Sequence, residues 1–413
     1  MNAGGSKRPK VRTVGTGGSL APLLDRDPQE WRSTLDQRYS VLDDVLAGRR
    51  RAVIYPAARM GREAARRLRS IGVEVVAFGD RDPTLHGGQI DGLPVLSPSQ
   101  VCATHRADAI LVSSTMYDSA IREDLEGRGC ECVVPVGYLN LRLPDVFTTR
   151  EYGGGWGAVA DTSNRADIEA AYSLLGDLQS RRVFEGKLAY YLSLDKARLD
   201  EIKSATTIYF DRGVYELGVD EVVVDGGAYV GDTLSSFLDR SLGRFRAYHA
   251  FEPDPASFER LASVAAVDPT RIAAVQAGLA GRTSSARLLS TRAADSRLLG
   301  HDEPGGEDVQ VVALDEYFER WDSPTLIKMD IEGAEAEALR GATRLIGVAG
   351  PTLAISAYHF PADLWGIPLL LGKLMPDSRL YLRHYTREID DTVCYSVPAR
   401  RSNQRPAESM RKG

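Results

Sequence analysis

Two long stretches of the chain alternate short apolar runs with segments of helical periodicity, the pattern of a mostly parallel α/β sheet. In the first, AVIY at 52–55 reads as a strand, Gly61 to Ser70 as an Arg-rich amphipathic helix, and VEVVAFGD as a second strand ending in Asp80. After GLPVLSPSQV come a third strand in ADAILVSS, a helix over 118–127 and a fourth strand in CVVP. The order predicts a small Rossmann-like domain over 46–150, preceded by a flexible lead-in and short helix over 1–45. Residues 151–204 open on a glycine hinge and then set Ile168, Tyr172, Leu175 and Leu178 at helical spacing, which predicts a helical connector packed on the second α/β domain.

The second stretch, 205–398, begins its sheet with the β-branched run Val222 to Val224, as expected of a central parallel strand buried on both faces. That strand ends in Asp225, then Gly226, Gly227 and Gly231, and a helix starts at Thr233. AYHAFE ends in Glu252, TLIKMD ends in Asp330, and a further helix runs from Gly333 to Arg340. YLRHYTREIDDTVCYSVP reads as two closing antiparallel strands with a turn near Glu388 to Asp391, and 399–413 as a flexible tail.

Composition narrows the class rather than the chemistry. A chain of 413 residues accommodates two domains with extensions, and 43% hydrophobic with 26% charged residues is ordinary for a globular protein. The net charge of -6 argues against a general nucleic-acid binder. Cys102, Cys130, Cys132 and Cys394 lack a second pair at zinc spacing, so buried reduced thiols are expected rather than a metal site. The basic N-terminus is followed by no apolar segment, no run approaches the ~18 apolar residues of a spanning helix, and a cytoplasmic location is expected.

The two glycine loops differ in chemistry. In the first domain a G-x-G-x-x-G fingerprint would fall on Pro56, Ala58 and Gly61, leaving only the last glycine. Proline offers no N–H to a pyrophosphate and alanine puts a methyl where backbone must come close, so docking or assembly, including a homo-oligomer through this domain, is favoured over a dinucleotide site. In the second, Glu252 ends strand two, where an acid hydrogen-bonds a ribose. Dinucleotides and S-adenosylmethionine both bring a ribose there. Asp225 discriminates, because a carboxylate repels phosphates and attracts the ammonium and sulfonium of S-adenosylmethionine, and Tyr229 stands where the middle glycine would be. Asp225, Glu252 and Asp330 are expected to project into one crevice outside the strand ends.

VVVDGGAYVGDT, FEPDP and LIKMDIEGAEAEALRGA, in this order and spacing, resemble the FkbM family of S-adenosylmethionine-dependent methyltransferases over residues 205–398. The resemblance implies a seven-stranded class I methyltransferase sheet and O-methylation of a hydroxyl on a sugar, glycan or secondary metabolite. It implies that Asp225, Gly227 and Gly231 hold the methionine side of the cofactor, that Glu252 holds its ribose, that Tyr229 and Thr233 also belong to the cofactor site, and that adenine passes Gly278 and Leu279.

A hydroxyl nucleophile needs a proton acceptor within hydrogen-bond reach. Asp330 is the first candidate and His359 the second, against structural roles as a helix cap or a satisfied core histidine. Lys328 is a substrate anchor or a snorkelling strand residue; Arg383 and His384 face the cleft and favour an anionic substrate, or lie on a solvated strand face. Glu332 and Glu335 complement a helix N-terminus. No second and third metal ligand joins Asp330 at fixed spacing, so no metal is expected. The alternative readings are an NAD-dependent oxidoreductase and a non-catalytic binding or assembly protein.

Overall fold

The computed structural model describes residues 19–147, 155–290, 296–299, 305–320 and 323–401. The first part of the lead-in, the glycines at 153–154 and most of the tail lie outside the described residues.

The N-terminal sheet contains β1 (Ala52–Tyr55), β2 (Val75–Gly79), β3 (Gln89–Ile90), β4 (Leu93–Leu96), β5 (Ala109–Val112) and β6 (Val133–Val134), in the order β3-β4-β2-β1-β5-β6. All neighbours pair in parallel except the β3–β4 hairpin. GLPVL, which the periodicity leaves without an element, supplies β4, because Leu93 and Val95 alternate inward on a strand too short to stand out. Gly61 has a packing role: a Cβ there would stand 2.1 Å from the Pro56 carbonyl oxygen, so only glycine lets the helix Arg59–Ser70 lie against the β1 turn.

The cysteines depart from expectation. Cys102 and Cys130 form a disulfide, with Cα atoms 5.3 Å apart, because the helices Pro98–Thr104 and Asp118–Gly127 pack together and bring their flanks into contact. Cys132 and Cys394 are free.

Helices Gly155–Ala160, Arg165–Leu174, Leu178–Ser193 and Ala197–Ile202 connect the two sheets. The larger C-terminal sheet begins with β7 (Val222–Gly226), β8 (Ala247–Phe251) and β9 (Ile272–Val275). Next, β10 (Gly278–Leu279), β11 (Ser284–Leu289), β12 (Arg297–Leu298) and β13 (Glu307–Val312) form a separate four-stranded sheet. The chain returns through β14 (Leu326–Met329), β15 (Thr352–Ser356), β16 (Ser378–His384) and β17 (Thr392–Pro398) to complete seven strands in the order β16-β17-β15-β14-β7-β8-β9. Only the pairings of β17 are antiparallel. Strand order reverses between β7 and β14, the point at which open α/β sheets present a crevice.

The edge strand β16 does not face solvent. The connector adds single bridges from Leu175 to Leu380 and from Lys203 to His384, and the Ser180 hydroxyl accepts from the Leu382 N–H at 2.9 Å. Covering an edge in this way removes a row of unpaired backbone groups. At the far end of the hairpin, Glu388 accepts from the N–H groups of Ser119 and Ala120 at 3.0 and 3.2 Å, so a carboxylate of the C-terminal sheet caps a helix of the N-terminal domain. Lys187, fully buried, donates to the Ile389 carbonyl in the same turn. The β16–β17 turn is thereby tied to both the N-terminal domain and the connector. No helix among the described residues is long and apolar enough to cross a membrane.

Candidate functional site

The register of β14 against β7 sets Lys328 beside Asp225 on one face of the sheet. Both are fully buried, with the Lys328 Nζ 2.9 Å from Asp225 Oδ1. The same ammonium donates to the carbonyls of Gly226 and Gly227 at 3.0 and 2.8 Å, and the Tyr248 hydroxyl donates to Asp225 Oδ2 at 2.7 Å. Burial opposes the Lys328 charge, but Asp225 and Asp330 outweigh it and hold its pKa above the usual lysine value. Two sequence expectations change here. Lys328 lines the crevice but is 2% exposed, with its ammonium on Asp225 and two backbone carbonyls, and Asp225 is not among the residues lining the crevice; its charge is met by Lys328.

What Lys328 holds is the turn above it. Gly227 has φ +70°, and a Cβ on it would stand 1.8 Å from the Asp330 carbonyl oxygen, so no other residue fits. The N–H groups of Gly227 and Ala228 both donate to the Phe251 carbonyl, and that of Tyr229, itself at φ +47°, donates to Glu252 Oε2 at 2.9 Å. Gly231, at φ +86°, precedes the helix Asp232–Ser241, whose Thr233 lines the cavity.

Glu252 is 7% exposed and lines the cavity; its Oε1 accepts from the Asp254 N–H at 2.9 Å. Burial pushes its pKa up to about 7, against the pull of the two backbone N–H donors. A carboxylate has about four acceptor positions, so two remain for a diol. Gly278 and Leu279 are buried in the same cavity wall, at the start of the four-stranded sheet.

Asp330, whose side chain is 24% exposed, sits where β14 ends. Tyr209 and Tyr358 donate their hydroxyls to Oδ2 and Oδ1 at 2.7 and 3.0 Å. Neither tyrosine announces this role in the sequence, since they lie 121 and 28 residues from their partner. Burial works to raise the Asp330 pKa, but His359 and Lys328 overcome it and lower it. Asp391, from the β16–β17 turn, lines the same cavity, and burial beside Asp330 pushes its pKa up to about 6.

His359 does not fit the role of a base. It is 3% exposed, with Nδ1 3.1 Å from Glu335 and Nε2 3.4 Å from Asp330 and 3.8 Å from Glu332. Burial disfavours its charge, yet these three carboxylates raise its pKa to about 10, so the imidazole carries its proton at neutral pH and has no lone pair to offer. Glu335 accordingly does more than complement a helix end: it is 1% exposed and also accepts from the Ile331 N–H at 2.8 Å. The fold also supplies what sequence spacing does not, since Asp330, Glu335 and His359 offer potential metal-ligand atoms within 4.8 Å of one another.

Arg383 and His384 lie outside the cleft. Arg383 is 2% exposed and donates to Asp177 at 2.7 Å and to Ser180 at 2.9 Å; His384 is 0% exposed and bonds the Thr392 hydroxyl at 2.9 Å through Nδ1. The connector covering β16 turns an apparent cleft face into an interior one.

The cavity that collects these groups has a volume of about 1560 Å³ and is lined from both domains. One variant tests the arrangement beneath it. Replacing Asp225 by Asn strands the Lys328 ammonium in the core and is expected to lower unfolding stability by roughly 3–5 kcal/mol, part of which Asp225→Asn with Lys328→Met restores. Denaturant melts of the three proteins decide this; a single variant within about 1 kcal/mol of the parent would contradict the pairing.

Comparison with known proteins gives a family match within the C-terminal half and a fold match over most of the chain. Residues 225–389 match the family described as Methyltransferase FkbM domain. A methyltransferase FkbM from Methylobacillus flagellatus KT has a similar fold, with a TM-score of 0.68 over 90% of this chain and 100% of that one, at 23% identity. A precorrin 8W decarboxylase from Methanobacterium thermoautotrophicum overlaps at a TM-score of only 0.24, over 43% of this chain and 80% of its own, at 13% identity. No curated protein matches the chain. The strand-end geometry and the family match coincide on one region, residues 225–389, which are similar to the methyltransferase FkbM domain.

Proposed function

We propose that the chain is an S-adenosylmethionine-dependent O-methyltransferase acting on a hydroxyl of a sugar, glycan or secondary metabolite. The observation that carries this reading is the Gly227 turn, a cradle that a Cβ would fill, flanked by Glu252 and Asp330 at the ends of neighbouring strands. When bound there, the cofactor supplies an electrophilic methyl group on a sulfonium. Glu252 accepts the ribose hydroxyls, Gly227, Tyr229, Gly231 and Thr233 shape the amino-acid end, and Gly278 and Leu279 border the adenine. Asp225 acts at one remove, by fixing Lys328 and through it the turn. The acidic wall formed by Asp232, Glu252, Asp330 and Glu332 disfavours a dinucleotide pyrophosphate at this turn, which speaks against an oxidoreductase.

Asp330 accepts the proton of the acceptor hydroxyl. Two tyrosine hydroxyls orient its carboxylate, and the cationic His359 and Lys328 keep it ionised. A group with a depressed pKa is a weak base, so its main effect is alignment, with proton uptake late in the transfer.

The pH dependence separates these roles. Cofactor affinity is expected to fall as pH drops through about 7, because Glu252 takes up a proton and loses acceptor capacity, whereas kcat stays level down to about pH 5. Glu252→Gln removes the affinity step. A kcat that falls below about pH 6 would instead give the base to Asp391.

The His359 imidazole stands among Asp330, Glu332 and Glu335 as an ion-pair network. Turnover is therefore expected to survive EDTA undiminished. Loss of activity in EDTA that magnesium restores would convert Asp330, Glu335 and His359 into ligands.

A further inference from the structure

The N-terminal domain contributes to the cavity through one particular part of its sheet. Strand order in that sheet reverses between β1 and β5, and the segments after these strands line the cavity, with Tyr55, Pro56, Ala58 and Arg59 from one and Ser114 to Tyr117 from the other. The C-terminal sheet presents Gly227 and Asp330, from the ends of β7 and β14, at its own reversal. Two switch-point crevices thus open into a single space. Pockets for one small ligand run to roughly 300–1,000 Å³, so a cavity of about 1560 Å³ has room for a cofactor and a second molecule.

The N-terminal crevice is not a second cofactor site. Pro56 has no N–H, the Ala57 N–H is already bonded to Asp80 Oδ2 at 2.9 Å, and Ala58 adds a methyl at the closest approach. Other features suit a ligand with an anionic end. The helix Arg59–Ser70 starts at Ala58 with no side-chain cap, and Arg59 and Arg81 are exposed beside it. Arg81, itself exposed, makes a 3.4 Å contact to Asp124 and a 3.3 Å bond to the Ala120 carbonyl and lies beside the Tyr55 hydroxyl, interactions that an incoming phosphate displaces at little cost. Tyr55 is 1% exposed among the lining residues, and its hydroxyl has no hydrogen-bond partner among the described residues. Met116 and Tyr117, 49% and 59% exposed, offer apolar surface for the body of such a molecule. The N-terminal wall carries Arg59 and Arg81 with Asp80, whose carboxylate is engaged by the Ala57 and Asp82 N–H groups, and the opposite wall carries Asp232, Glu252, Asp330, Glu332, Asp390 and Asp391 against Lys328, His359 and Arg297, so acids outnumber bases there while bases outnumber acids at the N-terminal end.

Building on the methyltransferase reading, we infer that the N-terminal crevice binds a phosphate-ester group of the methyl acceptor at Arg59, Arg81 and the helix N-terminus, so that the acceptor spans the cavity with its hydroxyl at Asp330. The phosphate belongs to a sugar monophosphate or to a nucleotide sugar; the chemistry that recognises it is the same.

Calorimetric titration of the full chain, first with S-adenosylhomocysteine and then with glucose 1-phosphate and with UDP-glucose, tests this. At least one phosphate ester is expected to bind saturably, and Arg59→Ala with Arg81→Ala to raise its Kd at least about tenfold while S-adenosylhomocysteine affinity stays within about twofold. Which ester binds distinguishes the two sources. Binding of S-adenosylhomocysteine without either ester, or ester binding indifferent to the two arginines, overturns the inference alone. Absence of S-adenosylhomocysteine binding overturns the methyltransferase reading and the acceptor assignment with it.

Discussion

The buried pair of Asp225 and Lys328 is the constraint on which the candidate site rests. Two ions taken out of water are tolerable only when each is fully met, and here Lys328 answers Asp225 on one side and two glycine carbonyls on the other. Its reach ties the end of β14 to the end of β7, and Tyr248 adds β8 to the same knot. Three strand ends are thereby locked at the reversal of the sheet. The Gly227 turn is held down by its carbonyl, its N–H groups engage β8, and Glu252 is drawn in beneath Tyr229.

Around that knot the protein arranges its charge in layers. The innermost is neutral as a pair; the next, Asp330 with His359 and Glu335, is a network in which one imidazolium serves several carboxylates. Beyond it lie the tyrosines, which fix the Asp330 carboxylate without altering its charge. The N-terminal domain adds arginines at the far wall, and Glu388 pins the two walls together through a helix N-terminus.

Much of this is legible in the chain, and the parts that are not have a common cause. The β-branched run 222–224, the acids at the strand ends and the glycines after them are local signals, and they lead to the sheet, to the reversal point and to Gly227, Glu252 and Asp330 in one cavity. Arg383 and His384 mislead because alternation along a strand reveals two faces but not what covers them, and the connector's Ser180 lies 202 residues from the strand residue it bonds. Asp225 reads as an open charge because its partner Lys328, a register neighbour on a strand 103 residues later, leaves no trace in local spacing. The roles of Tyr209, Tyr358 and Glu335 escape the sequence for the same reason, as does the pairing of Cys102 with Cys130. Of the three strand-end acids, Glu252 and Asp330 line the cavity and Asp225 does not.

A crystal structure of the chain with S-adenosylhomocysteine tests the central claim most directly. The expected result places the amino-acid end over the Gly227 turn and the ribose on Glu252, with Asp225 still paired to Lys328 and making no contact with the ligand. A ligand ammonium bonded to Asp225 with Lys328 displaced, or a ligand seated in the N-terminal crevice instead, would contradict it.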